Sequence, residues 1–222
     1  MKVRNFSSLM WRNSFNVHNK SLKKPKLNMY DHYLILDFEC TCEKNTKINN
    51  QEIIEFPCIW VDSNLNVLST FHRYVKPLHN PILTSFCTEL TGITQDMVEK
   101  EDTFDIVLLS FIKWYENVQK SINKESKMIF VTCGNWDLKI MLPDQCKLSG
   151  IPVPAFMTQW LNLKNVFMES TGYYPKSLND MCQQLGLGFI GRAHSGIDDC
   201  RNNLEIMRAL KSKSSMPNLK SL

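Results

Sequence analysis

Short apolar runs dominate the first third of the chain. Tyr33-Leu34-Ile35-Leu36 leads straight into Asp37-Phe38-Glu39, a run too apolar for a half-exposed strand, and it reads as a central strand buried on both faces. Side chains alternate along a strand, so Asp37 and Glu39 should point the same way, about 7 Å apart. Two further β-branched and aromatic runs, Ile53 to Val61 and Val67 to Val75, flank the turn-forming Asp62-Ser63-Asn64-Leu65-Asn66. The three runs predict antiparallel strands.

The period then changes. Pro77 and Pro81 end the strand pattern, and Thr84 to Thr91 reads as a short helix closed by Gly92. Thr103 or Asp102 can cap a longer helix, because Phe104, Val107, Leu108, Phe111, Ile112 and Tyr115 recur at three- and four-residue intervals and form a core-facing stripe. Met128 to Cys133 is a fourth strand, followed by a helix that Pro143 is expected to interrupt. Trp160 to Leu163 suggests a fifth strand and Ser177 to Leu185 a helix closed by Gly186. Ile197 to Leu210 forms a final helix with Ile197, Cys200, Leu204 and Met207 inside. The fold class is α/β: a mixed sheet of three antiparallel strands, then strand–helix alternation, flanked by helices.

Composition narrows the setting. The 222 residues, 43% of them hydrophobic, suit one domain over residues 30–211, and no apolar run is long enough to span a bilayer, so no membrane partner is expected. The net charge of +4 is uneven: the first thirty residues hold seven basic side chains and no acid, which leaves the rest at −3. Residues 1–29 read as a basic leader, disordered or targeting, and residues 212–222 as a frayed tail. A mildly acidic body meets a polyanion only through bound cations or a local basic lip. Eight scattered cysteines without a Cys-x-x-Cys imply reduced thiols. That places the protein inside the cell, in cytoplasm or nucleus, with the mitochondrion as the alternative that an acid-free leader raises. The sequence names no protein partner.

Taken alone, an Asp-x-Glu at a strand end is an acidic turn, and the later acids change that reading. Asp137 follows the fourth strand where the chain turns into a helix, the kind of loop on which α/β sheets place their sites. A fourth acid, Asp199, comes five residues after His194. Five helical residues rotate by about 500°, so His194 should lie on the preceding loop, loosened by Gly196, with Asp199 in the first helical turn. Four carboxylates are hard oxygen ligands suited to Mg²⁺ or Mn²⁺, and two such ions about 3.5–4 Å apart, bridged here by Asp37, can stabilise the attacking and leaving oxygens of a phosphodiester. A neighbouring imidazole can take a proton from the attacking water.

Asp37-Phe38-Glu39, the later Trp136-Asp137 and the His-x4-Asp of His194 and Asp199 resemble the three exonuclease motifs of the DEDDh 3′-to-5′ exonucleases, which have a ribonuclease-H-like fold. More narrowly, Asp37 to Cys42, Phe86 to Thr94, Gly134 to Leu138 and Gly191 to Asp199 resemble the Eri subgroup, which includes the 3′ histone mRNA exonuclease and Snipper. The resemblance covers about residues 30–210. Cys40 stands where relatives often have Ala, and Asn135 before Trp136 also departs from the pattern. The resemblance implies that Asp37, Glu39, Asp137 and Asp199 hold two Mg²⁺ ions, with Mn²⁺ able to substitute, and that His194 is the general base. It also implies nucleotide contacts at Phe38, Thr41, Leu90, Thr91, Trp136 and His194. Asp198 reads as a cap or supporting acid, Arg192 as a phosphate contact or an ordinary surface arginine, and His18, His32, His72 and His79 as structural. The expected partner is RNA, with single-stranded DNA as a second substrate. The alternatives are a DNA-directed 3′-to-5′ exonuclease and a nucleic-acid-binding module without catalysis.

Overall fold

The computed structural model describes Leu27 and residues 29–215; most of the expected leader and the end of the expected tail lie outside the described residues. β1 (His32–Leu36) is the central strand. It runs antiparallel to β3 (Ile53–Asp62) on one side and parallel to β5 (Met128–Thr132) on the other. β4 (Val67–Tyr74) lies antiparallel along the far side of β3, and β6 (Trp160–Asn162) extends the sheet parallel to β5.

The expected single strand through Glu39 is two. β1 ends at Leu36, opposite Cys58, and the two-residue β2 (Glu39–Cys40) resumes with Glu39 opposite Glu55. That register carries Asp37 past Pro57, which has no N–H to offer the ladder. The N–H of Phe38 turns instead to the Asp137 carboxylate, at 2.9 Å. The break in the ladder thus frees one backbone donor for the site.

Helices cover both faces. Leu34, Leu36 and Phe38 pack with Phe56 against α3 (Phe104–Ser121), whose buried Phe104, Val107, Leu108, Phe111 and Tyr115 are the expected stripe. The Phe56 ring centre lies 4.7 Å from that of Phe38 and 4.6 Å from that of Phe111. Tyr33, Ile35 and Val131 face the other layer, made of α5 (Leu163–Thr171), α6 (Leu178–Leu185) and α7 (Gly196–Ser215), through Phe167, Met181, Cys200, Leu204 and Met207. α7 continues into residues expected to be tail.

Between β4 and α3 lie α1 (Ser85–Thr91) and the short α2 (Gln95–Val98). Thr84 caps α1 by accepting the Cys87 N–H, and Gly92 closes it at φ 78°, a left-handed conformation that suits glycine. After β5 the chain makes one wide π-helical turn, Asp137–Met141, that passes directly into α4 (Leu142–Leu148). The expected interruption at Pro143 does not occur, because Pro143 sits in the first turn of α4, where its missing N–H coincides with the change of helix type.

Candidate active site

The sheet brings three distant segments to one end. Asp37 stands in the break after β1, Glu39 in β2, Asp137 at the start of the wide turn after β5, and Asp199 in the first turn of α7. His194 lies on the loop before α7 with φ 63°, exposed, and a ring nitrogen of His194 and carboxylate oxygens of Glu39 and Asp199 all lie within 4.8 Å of one another. The loop position expected for His194 is therefore the observed one.

Three of the four carboxylates accept a hydrogen bond. Asp137 accepts the Phe38 N–H, Asp37 accepts from the Asn203 amide at 3.2 Å, and Asp199 accepts the His194 N–H at 3.2 Å. Glu39, Asp137 and Asp199 are buried, whereas Asp37 keeps some contact with solvent. Burial and the charges of Asp137, Asp199 and Glu39 push Asp37 well above the usual carboxylate range. Burial with the neighbouring acids raises Glu39 to about 9 and Asp199 to about 7; burial alone raises Asp137 to about 6 against the pull of the Phe38 N–H. Among the described residues no Lys or Arg pairs with any of the four. One oxygen of Asp199 is buried without a hydrogen-bond partner. Mutually repelling acids, an orphaned oxygen and an all-oxygen donor set beside an imidazole fit hard divalent cations.

The expected nucleotide contacts divide. Trp136 is 38% exposed, so it is not a core tryptophan, and Leu90 is half-buried. The side chains of Phe38, Thr41 and Thr91 are buried: Phe38 packs on Phe56, the Thr41 hydroxyl accepts the Glu52 N–H at 3.0 Å, and the Thr91 hydroxyl is spent on the Cys87 carbonyl and the Ile93 N–H.

Two of the flanking residues tie the loop of His194 in place. The Arg192 guanidinium donates to the Glu89 carbonyl and lies against Gly92. Asp198 accepts the Arg192 N–H at 3.0 Å and pairs with Arg201 at 2.6 Å. Gly196 is not a loosening element. It is buried, and a Cβ there would stand 2.7 Å from the Asp37 carbonyl oxygen.

Two residues around the site escaped sequence reasoning, Asn203 and Glu55, while His72, read as structural, stands against Glu55. Glu55, only 1% exposed, accepts the N–H groups of Gly196 and Ile197 and lies 2.7 Å from His72 Nε2. An acid inside the apolar run Ile53 to Val61 was the available signal.

The Exonuclease family (RNase_T) matches residues 34–207. ERI1 exoribonuclease 3 of Homo sapiens is 48% identical over 183 residues, covering 82% of this chain and 54% of the relative, so the chain spans about half the length of the curated relatives it matches. The solved nuclease domain of 3′hExo, described as a DEDDh family member bound to rAMP, superposes with a TM-score of 0.77 at 36% identity, over 83% of this chain and 94% of that one. Cell-death related nuclease 4 gives 0.76 at 33% identity, over 85% and 66%. With five site residues converging on one end of a ribonuclease-H-like sheet, the chain belongs to the exonuclease family, and within it to the DEDDh, Eri-type 3′-to-5′ exonucleases, which depend on divalent metal.

Proposed function

We propose that the chain is a 3′-to-5′ exoribonuclease that hydrolyses the terminal phosphodiester of RNA, releases nucleoside 5′-monophosphates, and works with two Mg²⁺ ions for which Mn²⁺ can substitute. The observation that carries this reading is the convergence of Asp37, Glu39, Asp137, Asp199 and His194 from three segments, with the donors of Glu39, His194 and Asp199 within 4.8 Å. A bound divalent pair supplies Lewis-acid stabilisation of the attacking and leaving oxygens.

The protein's own part is placement. Asn203 and the Phe38 N–H each pin one oxygen of Asp37 and Asp137, so those carboxylates cannot swing to relieve their mutual repulsion. His194, at the solvent-facing lip, takes the proton of the attacking water as general base. Trp136 offers an aromatic face to a terminal base beside Asp137, and stacking of that kind contributes about 1–3 kcal/mol with little sequence preference. Leu90 adds an apolar contact, and the backbone around Phe38, Thr41 and Thr91 borders the 3′ end, their side chains being committed inward. The relatives' name, exoribonuclease, and the rAMP in the 3′hExo structure support RNA as substrate. Eight free cysteines support an intracellular, reducing setting.

The deciding experiment is a time course on 5′-labelled single-stranded RNA and DNA of one sequence, with and without Mg²⁺, against a 3′-blocked control. A Mg²⁺-dependent ladder from free 3′ ends is expected, faster on RNA. Equal or faster loss of DNA would move the assignment to a DNA-directed enzyme. RNA binding without any ladder would leave only a binding module.

A further inference from the structure

Beside the four acids stands a fifth that the chemistry above does not use. Glu55 lies in β3 directly across the ladder from Glu39. Its Oε2 accepts the Gly196 N–H at 2.9 Å, and its Oε1 accepts the Ile197 N–H at 3.2 Å and lies 2.7 Å from His72 Nε2. The two N–H groups belong to the first turn of α7, where a helix has no internal acceptors for them and where its dipole favours a negative charge. Gly196 is meanwhile pressed against the Asp37 carbonyl and the Pro57 ring.

This grip reaches the site in one step. The Asp199 N–H bonds the Ser195 carbonyl at 2.8 Å, and the Asp199 carboxylate holds the His194 N–H. Any slide of α7 along the sheet therefore carries Asp199 and His194 together, away from Glu39 and Asp37, which are fixed to β3 and β1.

We infer that Glu55, braced by His72, is a positioning residue that sets where α7 sits on the sheet, and so sets the spacing of Asp199 and His194 from Asp37 and Glu39. The inference rests on the metal-dependent reading of the site. A carboxylate that merely caps the helix would alter stability when lost but leave cation affinity unchanged. One that sets the spacing would alter cation affinity in molecules that remain folded, since partners behind a metal's ligands typically change affinity or activity by about 10–100-fold.

The test uses the full 222-residue chain, wild type, Glu55→Gln and His72→Phe. Mn²⁺ is titrated into each and the free ion is followed by its EPR signal, with circular dichroism to show folding. Glu55→Gln keeps the side chain's shape but sets an amide against one of the helix N–H groups; His72→Phe retains the Glu55 charge and so separates geometry from field. The expected result is Mn²⁺ affinity weakened about tenfold or more in Glu55→Gln and about threefold in His72→Phe. On RNA, kcat should fall with little change in KM. Affinities within about twofold of wild type in the folded variants would overturn the inference. If Glu55→Gln does not fold, His72→Phe decides alone, by the same threshold. Wild-type turnover judges the exonuclease reading separately: a wild type that binds Mn²⁺ and degrades nothing would sink that reading, while the affinities still decide this one.

Discussion

Gly196→Ala is the smallest change that should disable the site. A Cβ at this position stands 2.7 Å from the Asp37 carbonyl oxygen, 3.0 Å from Pro57 Cγ and 3.2 Å from Glu55 Oε2. None of the three can yield easily, since Pro57 and Glu55 belong to β3, Glu55 is bonded to the Gly196 N–H, and Asp37 is in the short link between β1 and β2. Carbon-to-oxygen contacts settle at about 3.3–3.6 Å, so the start of α7 must retreat by roughly 0.6–0.9 Å. Overpacking of this kind costs about 1–3 kcal/mol, which a domain of this size registers as a Tm lower by several degrees. The same retreat moves Asp199 and His194 together, and a misplacement near 1 Å costs roughly a hundredfold in rate. The two readouts should therefore diverge: a folded protein with a modest loss of Tm, and kcat/KM on single-stranded RNA with Mg²⁺ down by about two orders of magnitude. A variant that keeps more than about a third of wild-type kcat/KM would refute the argument that close packing at Gly196 sets the site.

Three further outcomes follow from the same geometry. Asp37→Asn should abolish hydrolysis and yet raise the urea midpoint in EDTA, because it removes one of four repelling carboxylates; a lower midpoint would contradict the repulsion argument. Burial raises Asp137 to about 6, Asp199 to about 7 and Glu39 to about 9, so the folded metal-free chain holds more protons than the unfolded one from about pH 4 upward. Its urea midpoint in EDTA should fall as pH rises toward about 9, and saturating Mg²⁺ should flatten the trend; a midpoint that climbs with pH in EDTA is the opposite sign. Trp136→Ala should lower kcat/KM on single-stranded RNA by the loss of about 1–3 kcal/mol of stacking while Tm stays near wild type, and unchanged kinetics would remove Trp136 from the substrate path.

Local signals made much of this architecture legible. The α3 stripe and the bounds of α1 from Thr84 to Gly92 depend on neighbours in sequence, and each was readable; the strands were readable one by one, but not their order in the sheet, where β1 lies between β3 and the distant β5. What stayed hidden depends on partners far along the chain. The break at Asp37 and Phe38 comes from Pro57 across the ladder and from Asp137, 99 positions away. Glu55 looked like one polar residue in an apolar strand because its partners, Gly196 and Ile197, are more than 140 positions distant. α5 was missed because Asn162 ends β6 and caps the helix at once, leaving no loop to mark the boundary. Gly196 was read by its usual freedom, whereas the structure uses its lack of a side chain.

The distance between the two halves of the site also sets when it can exist. Asn203 and Asp37 meet across 166 positions of chain, and at roughly 5–20 residues per second a ribosome takes about ten to thirty seconds to traverse that interval. Through that time the chain carries Asp37 and Glu39 without Asp199, His194 or the amide that steadies Asp37. The candidate site is therefore incomplete along the growing chain and closes only once the last helix has docked.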